Sequence, residues 1–442
     1  MRFSTAELAV QLGGELVGPD VTVNGASIDS RITRPGQLFI PIVAERDGHD
    51  FLPAARAAGA AAYLTTRPPD GGTAIVVADT RQALRTVGAV ARARLRGEVI
   101  GITGSVGKTT TKDLVAGCLA PRFNIAASER SLNNELGVPL TLSNAPEDAQ
   151  WVVLEMGARG IGHIRELVEL THPRVGVVTS VAMAHIEFFG DLEGVFRAKG
   201  ELVTDLPANG VAVLNADDDN VWRMAAISSA PVLGYGVGEN AEVRASGIIL
   251  DEDLQPRFTL HTPWGHGDVA LRLHGRAQVS NALAAAAAAL WCGVPIDGVL
   301  GALAVSEGPA MRMEVRRPRT GPALVVDCYN ANPTSTEAAL RALAGLGRGH
   351  KVALLGLMAE LGSASESEHR RMAELARELG IDVVGYRTAW YGARQVDTVE
   401  EAVDLAQGLT PADAWLLKGS RVARLEEVLA AYGRAIGDDD QV

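Results

Sequence analysis

Short apolar runs recur along most of this chain with helix-length stretches between them, and this alternation restricts the fold more than any other feature. Between residues 98 and 312 the runs are Val99–Ile102, Trp151–Leu154, Val175–Val178 and Val211–Leu214. From Met313 the pattern restarts with Ala323–Val326, Lys351–Leu355, Ile381–Val384 and Trp415–Leu417, interleaved with helical segments such as Glu366–Leu379. Continuous apolar runs separated by crossover-length segments predict parallel strands covered by helices. Two α/β domains are therefore expected, a doubly wound central one and a Rossmann-like third one. The residues before Gly97 read differently. Short β-type runs from Val21 to Leu64 alternate with turn signals such as Arg34-Pro35-Gly36 and Asp47-Gly48, with helices expected over Leu52–Ala62 and Gln82–Arg96. The expectation is an α/β protein of three domains, 1–97, 98–312 and 313–442.

Composition narrows the function classes. A formal charge of −12 over 442 residues argues against a nucleic-acid or membrane surface, so an anionic ligand would need local clusters of donors. Cys118, Cys292 and Cys328 stand far apart, with neither a disulfide framework nor metal-type pairing, which fits a reducing cytosol. The N-terminus lacks a signal-peptide core, and Ser4 with Glu7 reads as a capping box. The alanine-rich stretch Ala282–Val294 is shorter than the roughly 18 residues of a spanning helix. A cytoplasmic protein acting as a monomer is the expectation.

One motif carries chemistry by itself. Gly101-Ile102-Thr103-Gly104-Ser105-Val106-Gly107-Lys108-Thr109 lies between an expected strand and the expected helix Thr110–Leu119. A glycine turn opening a helix presents backbone N–H groups to phosphate. Gly104, Ser105 and Gly107 would form the cradle, Lys108 would meet the β- and γ-phosphates, and Thr109 would meet magnesium. Ile102 occupies the first glycine position of the long phosphate-loop expression, so the match is to a shorter G-x-x-G-K-T form.

This loop and its surroundings resemble the Mur ligase family, whose members activate a carboxylate with ATP before an amine attacks it. Ser131-Leu132-Asn133-Asn134-Glu135-Leu136-Gly137-Val138-Pro139 is similar to the family's segment beside the muramoyl substrate, which points to Asn133 and Asn134. Leu154-Glu155-Met156-Gly157 and Ala184-His185-Ile186-Glu187 resemble segments in which Glu155 and His185 would hold magnesium. Arg197-Ala198-Lys199-Gly200-Glu201 resembles the segment whose lysine is carbamylated in many members, and Lys199 would then join the metal ligands. The alternative for Lys199 is an unmodified lysine paired with Glu201 on a solvated helix face.

In His274-Gly275-Arg276-Ala277-Gln278-Val279-Ser280-Asn281 the adenine-packing asparagine is kept as Asn281, while Ala277 and Gln278 replace the usual histidine and asparagine. Further on, Arg312 would approach the γ-phosphate and Asp327 would bind the ribose. The form Asp327-Cys328-Tyr329-Asn330-Ala331-Asn332-Pro333-Thr334-Ser335, with Lys418-Gly419-Ser420-Arg421, resembles the branch that adds D-alanyl-D-alanine. That likeness makes Asn330, Asn332, Ser335, Lys418 and Ser420 candidate substrate residues. Gly356-Leu357-Met358-Ala359-Glu360-Leu361-Gly362 is similar to a loop that usually has aspartate where Leu357 stands. In the first domain, Ile28-Asp29-Ser30-Arg31 resembles the region that grips the UDP end, so Ser30 and Arg31 are candidates there.

The resemblance implies a ligase using ATP and Mg2+ that joins D-alanyl-D-alanine to UDP-N-acetylmuramoyl-tripeptide, with Lys108, Lys199, His185 and Arg312 as the catalytic set and a hinge near Met313. Two alternatives stand beside it. One is a ligase of the same architecture acting on another acid. The other is a catalytically weakened nucleotide-binding scaffold, motivated by the departures at Ser180, Ala277, Gln278 and Leu357.

Overall fold

The computed structural model describes residues 1–129, 132–183, 186–347 and 349–438. Among these residues there are three large sheets, drawn from residues 15–76, 98–270 and 314–418. The largest has nine strands. Its centre is Glu98–Thr103, paired in parallel with Trp151–Glu155 on one side and Val175–Val178 on the other. These three strands are almost wholly buried, as strands covered on both faces by helices must be. Ligand sites of such sheets lie at the carboxyl ends of the strands. Here those ends lead into Gly104, Met156 and Thr179.

One part of this sheet departs from the expected pattern. Val243–Leu250 joins it in parallel beside Val232–Gly236, and Pro256–Thr262 and Gly265–Ala270 then extend it with antiparallel pairings. Burial alternates along Val243–Leu250, so its residues do not make the continuous apolar run that marks the parallel strands.

The six-stranded sheet is parallel apart from its first strand, and Asp327 and Lys418 end neighbouring strands within it. Helices Pro333–Gly345, Ser365–Glu378, Val399–Gln407 and Leu425–Ile436 supply its apolar cover. Among the described residues no helix is long and apolar enough to cross a membrane.

The first sheet corrects one expectation. The helix over Leu52–Ala62 stops at Ala57, because Gly59 turns left-handed at φ +95°, and Ala62 begins a buried strand, Ala62–Thr65, in register with Leu38. Alanine favours helix, but tertiary strand pairing overrides that preference. Only half of the capping box forms as well: Ser4 accepts from the Glu7 N–H, while the Glu7 carboxylate reaches Arg94 instead.

One side chain contributes two of the hydrogen bonds between the first and central domains. Helix Gly137–Asn144 ends in Asn144, whose amide both accepts from the Ala26 N–H (3.2 Å) and donates to the Ala26 carbonyl (2.9 Å) at the edge of the first sheet. The same helix packs along Thr80–Arg94, where Gly88 leaves no room for a Cβ beside Pro139.

Candidate active site

The glycine loop is laced to the strand end beside it. The Thr179 hydroxyl donates to the Val106 carbonyl (2.6 Å), the Val106 N–H donates to the Ser180 hydroxyl (2.9 Å), and the Ser105 N–H donates to the Ser180 carbonyl (2.9 Å). Two glycines are obligatory. Gly107 has φ +84° as it opens helix Lys108–Leu119, and a Cβ there would strike the Asn281 amide; at Gly104 a Cβ would overlap the Thr179 hydroxyl. Ser180, one of the departures noted from the resembled family, is thus engaged in shaping the loop.

Lys108 folds back over this loop, its ammonium donating to the Gly104 carbonyl at 2.7 Å. Burial pushes the amine below the ordinary lysine range, Glu155 works against that shift, and Arg312 adds to it. The half-buried amine therefore feels a carboxylate and a second cation at once.

Behind it, the Thr109 hydroxyl donates to Glu155 Oε2 (2.8 Å) and the Asn133 amide donates to Oε1 (2.7 Å). Glu155 is fully enclosed. A cation of the magnesium kind asks for hard oxygen donors, with substrate phosphate and water completing its shell. Thr109 and Glu155 are such donors, so the residues present fit that ion. His185 lies outside the described residues. Among the described residues no group of three or more His, Cys, Asp or Glu side chains could hold a metal.

Lys199 is buried within helix Leu192–Thr204, and its amine is pushed well below the lysine range, first by burial and then by the charge of Lys108. The solvated pairing with Glu201 does not form. Glu201 is also buried and instead accepts from the N–H groups of Gly162 (2.6 Å) and Arg165 (2.9 Å) at the start of helix His163–Thr171. The sequence reads both residues as charges on a helix; their burial follows from packing that the local pattern does not display.

The nucleotide residues on the third-domain side gather at the linker. Arg312 lies over the Tyr329 ring at 4.2 Å. Asp327 accepts from the Met313 N–H (3.2 Å) and pairs with Lys418 (2.7 Å), and Met311 and Met313 both have positive φ. A cavity of about 270 Å³ opens between the domains here, lined by Arg272, His274, Glu307, Arg312, Met313 and Glu314. Asn281, expected at the adenine, is turned inward: its amide donates to Gln278 (2.8 Å) and accepts from Thr111 (3.3 Å).

Several expected substrate residues have their polar atoms engaged inside the chain. Lys418 is buried and donates to the Asn330 carbonyl as well as to Asp327. Asn332 and Ser335 form a reciprocal capping box on helix Pro333–Gly345. Ser420 ties together Ala331 and Ala359, and Asn134 caps Gly137. The Asn330 amide accepts from the Ala331 N–H. In the first domain, Ser30 is half-buried and Arg31 is exposed, paired with Asp29.

Comparison with known proteins reads the same way. Residues 102–289 match the Mur ligase middle domain and residues 311–421 match the Mur ligase glutamate ligase domain. An Escherichia coli protein named UDP-N-acetylmuramoyl-tripeptide--D-alanyl-D-alanine ligase is 36% identical, over 96% of this chain and 97% of its own length. The chain belongs to the Mur ligase family. A Bacillus subtilis ligase of the same name is 30% identical over 97% of the chain and 98% of its own length. Among solved structures, MurF from Acinetobacter baumannii superposes with a TM-score of 0.89 at 31% identity, covering 98% of this chain and 99% of that one. MurF from Thermotoga maritima in complex with ADP gives 0.82 at 27% identity, covering 93% and 97%. The three-domain Mur ligase architecture is therefore that of this chain, which is an ATP-dependent ligase.

Proposed function

We propose that this Mur ligase joins D-alanyl-D-alanine to UDP-N-acetylmuramoyl-tripeptide in the making of a peptidoglycan precursor, in the cytoplasm and as a monomer. The observation that carries the reading is the cluster of buried Thr109, Glu155 and Lys199 with half-buried Lys108 and Asn133 at a phosphate loop, in a chain that matches relatives of that name along nearly its whole length.

A carboxylate is a poor electrophile at neutral pH. ATP would convert the tripeptide carboxylate into an acyl phosphate, and water must be kept away while it waits. Loop N–H groups and Lys108 would neutralise the transferring phosphoryl group from one side, and Arg312 from the other. Thr109 and Glu155 would hold magnesium, whose positive charge would help neutralise the phosphates. Lys199, driven toward its neutral form, has the free amine lone pair that reaction with carbon dioxide requires. The resulting carbamate would be anionic, where an ammonium beside Lys108 is disfavoured. Asp327, held by Lys418 and the Met313 N–H, would receive the ribose, and Ser30 and Arg31 the UDP end. The scaffold alternative loses one of its motives, since Ser180 closes the phosphate loop with its own hydroxyl.

Phosphate release with UDP-muramoyl tripeptide and D-alanyl-D-alanine tests this. Release is expected only when both substrates and magnesium are present. Equal turnover with L-alanyl-L-alanine would count against the branch.

A further inference from the structure

The loop after strand Lys351–Leu355 is constrained at successive residues. The Tyr391 hydroxyl donates to the Gly356 carbonyl (2.8 Å), the Met358 N–H donates to His369 Nε2 (2.9 Å), and the Ala359 N–H donates to the Ser420 hydroxyl (2.9 Å). The Ser420 N–H returns to the Leu357 carbonyl (2.9 Å), and the Thr336 hydroxyl reaches the Met358 sulfur (3.4 Å). His369 is itself fixed. Its Nδ1 lies 2.6 Å from the Ser365 carbonyl, which leaves Nε2 as the acceptor, and its ring meets Trp390 and Tyr391 edge-on.

What this framework supports is Glu360. Its φ of +63° is costly for a residue with a Cβ and persists only where the surroundings impose it. The residue reaches across the cleft. Its carbonyl accepts from the Glu187 N–H (3.4 Å), Gly362 lies against Glu187, and its carboxylate is 3.8 Å from the Arg159 guanidinium. Glu187 continues the His185 segment, and Arg159 lies four residues beyond Glu155. A carboxylate of the third domain therefore stands beside the two central-domain segments that follow the phosphate site. Arg159, one of its partners, is mostly exposed, and an ion pair of that length in solvent is weak enough to exchange.

The second substrate arrives as an ammonium, since an α-amino group has a pKa of about 8, and it must lose a proton before it can attack. We propose that Glu360 is a catalytic residue that displaces Arg159, binds the ammonium of the incoming amino substrate and accepts its proton, with His369 as the positioning residue behind it. This rests on the ligase reading above. A proton passes from nitrogen to the Glu360 carboxylate, and the freed lone pair forms the C–N bond at the acyl phosphate carbonyl. The C–O bond to phosphate then breaks, its electron pair leaving with phosphate. The second nitrogen proton goes to the departing phosphate, and Glu360 returns its proton to solvent.

Hydroxylamine separates the parts, because it is uncharged at neutral pH and attacks acyl phosphates without a base. In Glu360→Gln, ligation of D-alanyl-D-alanine should fall at least ~100-fold, while hydroxamate formation from UDP-muramoyl tripeptide and ATP stays within ~3-fold of the unsubstituted enzyme. The lost dipeptide rate should return as pH rises toward the amine's own pKa, which a merely misplaced loop would not produce. Equal loss with both nucleophiles, or an unchanged dipeptide rate, overturns the proposal. Absence of hydroxamate from the unsubstituted enzyme would instead overturn the ligase reading.

Discussion

The floor of the central domain and the Ile28–Arg31 turn of the first domain carry charge in opposite ways. On the floor, Glu155 and Lys199 are enclosed and Lys108 is half-buried beside them, and Lys108 and Glu155 already sit against named partners. In the turn, Arg31 is 86% exposed and pairs with its neighbour Asp29. Enclosed charges act in low dielectric and need no rearrangement when charge develops, which suits a transition state. An exposed guanidinium can be captured by a ligand's phosphates, which suits recognition. Damage to the floor should therefore appear in kcat, and damage to the turn in KM.

The largest effect is expected at Lys199. Lys199→Ala should lower turnover by ~1,000-fold, and formate or acetate at high concentration should restore part of it by filling the vacated oxygen positions. Full activity, with no carbamate signal from labelled bicarbonate by ¹³C NMR, would remove this residue from the floor. Next comes Lys108→Ala, where kcat should fall by at least ~100-fold in a phosphate-release assay. A near-normal rate there would break the comparison.

Arg31→Ala should behave differently, raising KM for the UDP-linked substrate about 10-fold with kcat within ~2-fold. A fall in kcat without a change in KM would place the turn with the floor.

The smallest effect concerns pH. Burial lowers the His369 pKa, so below about pH 6.5 the unfolded chain takes up a proton that the native ring resists. Stability should then decline as pH falls from 7 to 5. The urea midpoint of His369→Gln should decline less over that range; identical slopes would mean the ring contributes nothing to it.

Much of the frame was legible because parallel strands advertise themselves. Val175–Val178 and Lys351–Leu355 are observed at the expected residues, since strands buried on both faces must be apolar throughout. Val243–Leu250 was not legible, because a half-exposed strand mixes polar and apolar residues as a loop does. Within the site, the turn Gly104–Gly107 could be read from its glycines, whereas the inward turn of Asn281 and the internal engagement of Lys418 depend on residues far away in sequence. Glu360 was visible only as part of a motif. Its strained backbone and its approach to Arg159 arise from packing between domains, which no local spacing records.

Asn144 has a consequence outside catalysis. A strand edge with unpaired N–H and C=O groups is a template on which another chain can add a strand. By presenting one acceptor and one donor to Ala26, the Asn144 amide occupies that edge as a neighbouring strand would, and the left-handed Gly25 makes room for it. Truncating this side chain would leave the buried Ala26 N–H without that acceptor while its carbonyl keeps the Gln37 amide, so the loss would be felt in how firmly the first domain sits on the central one before any step of the reaction slowed.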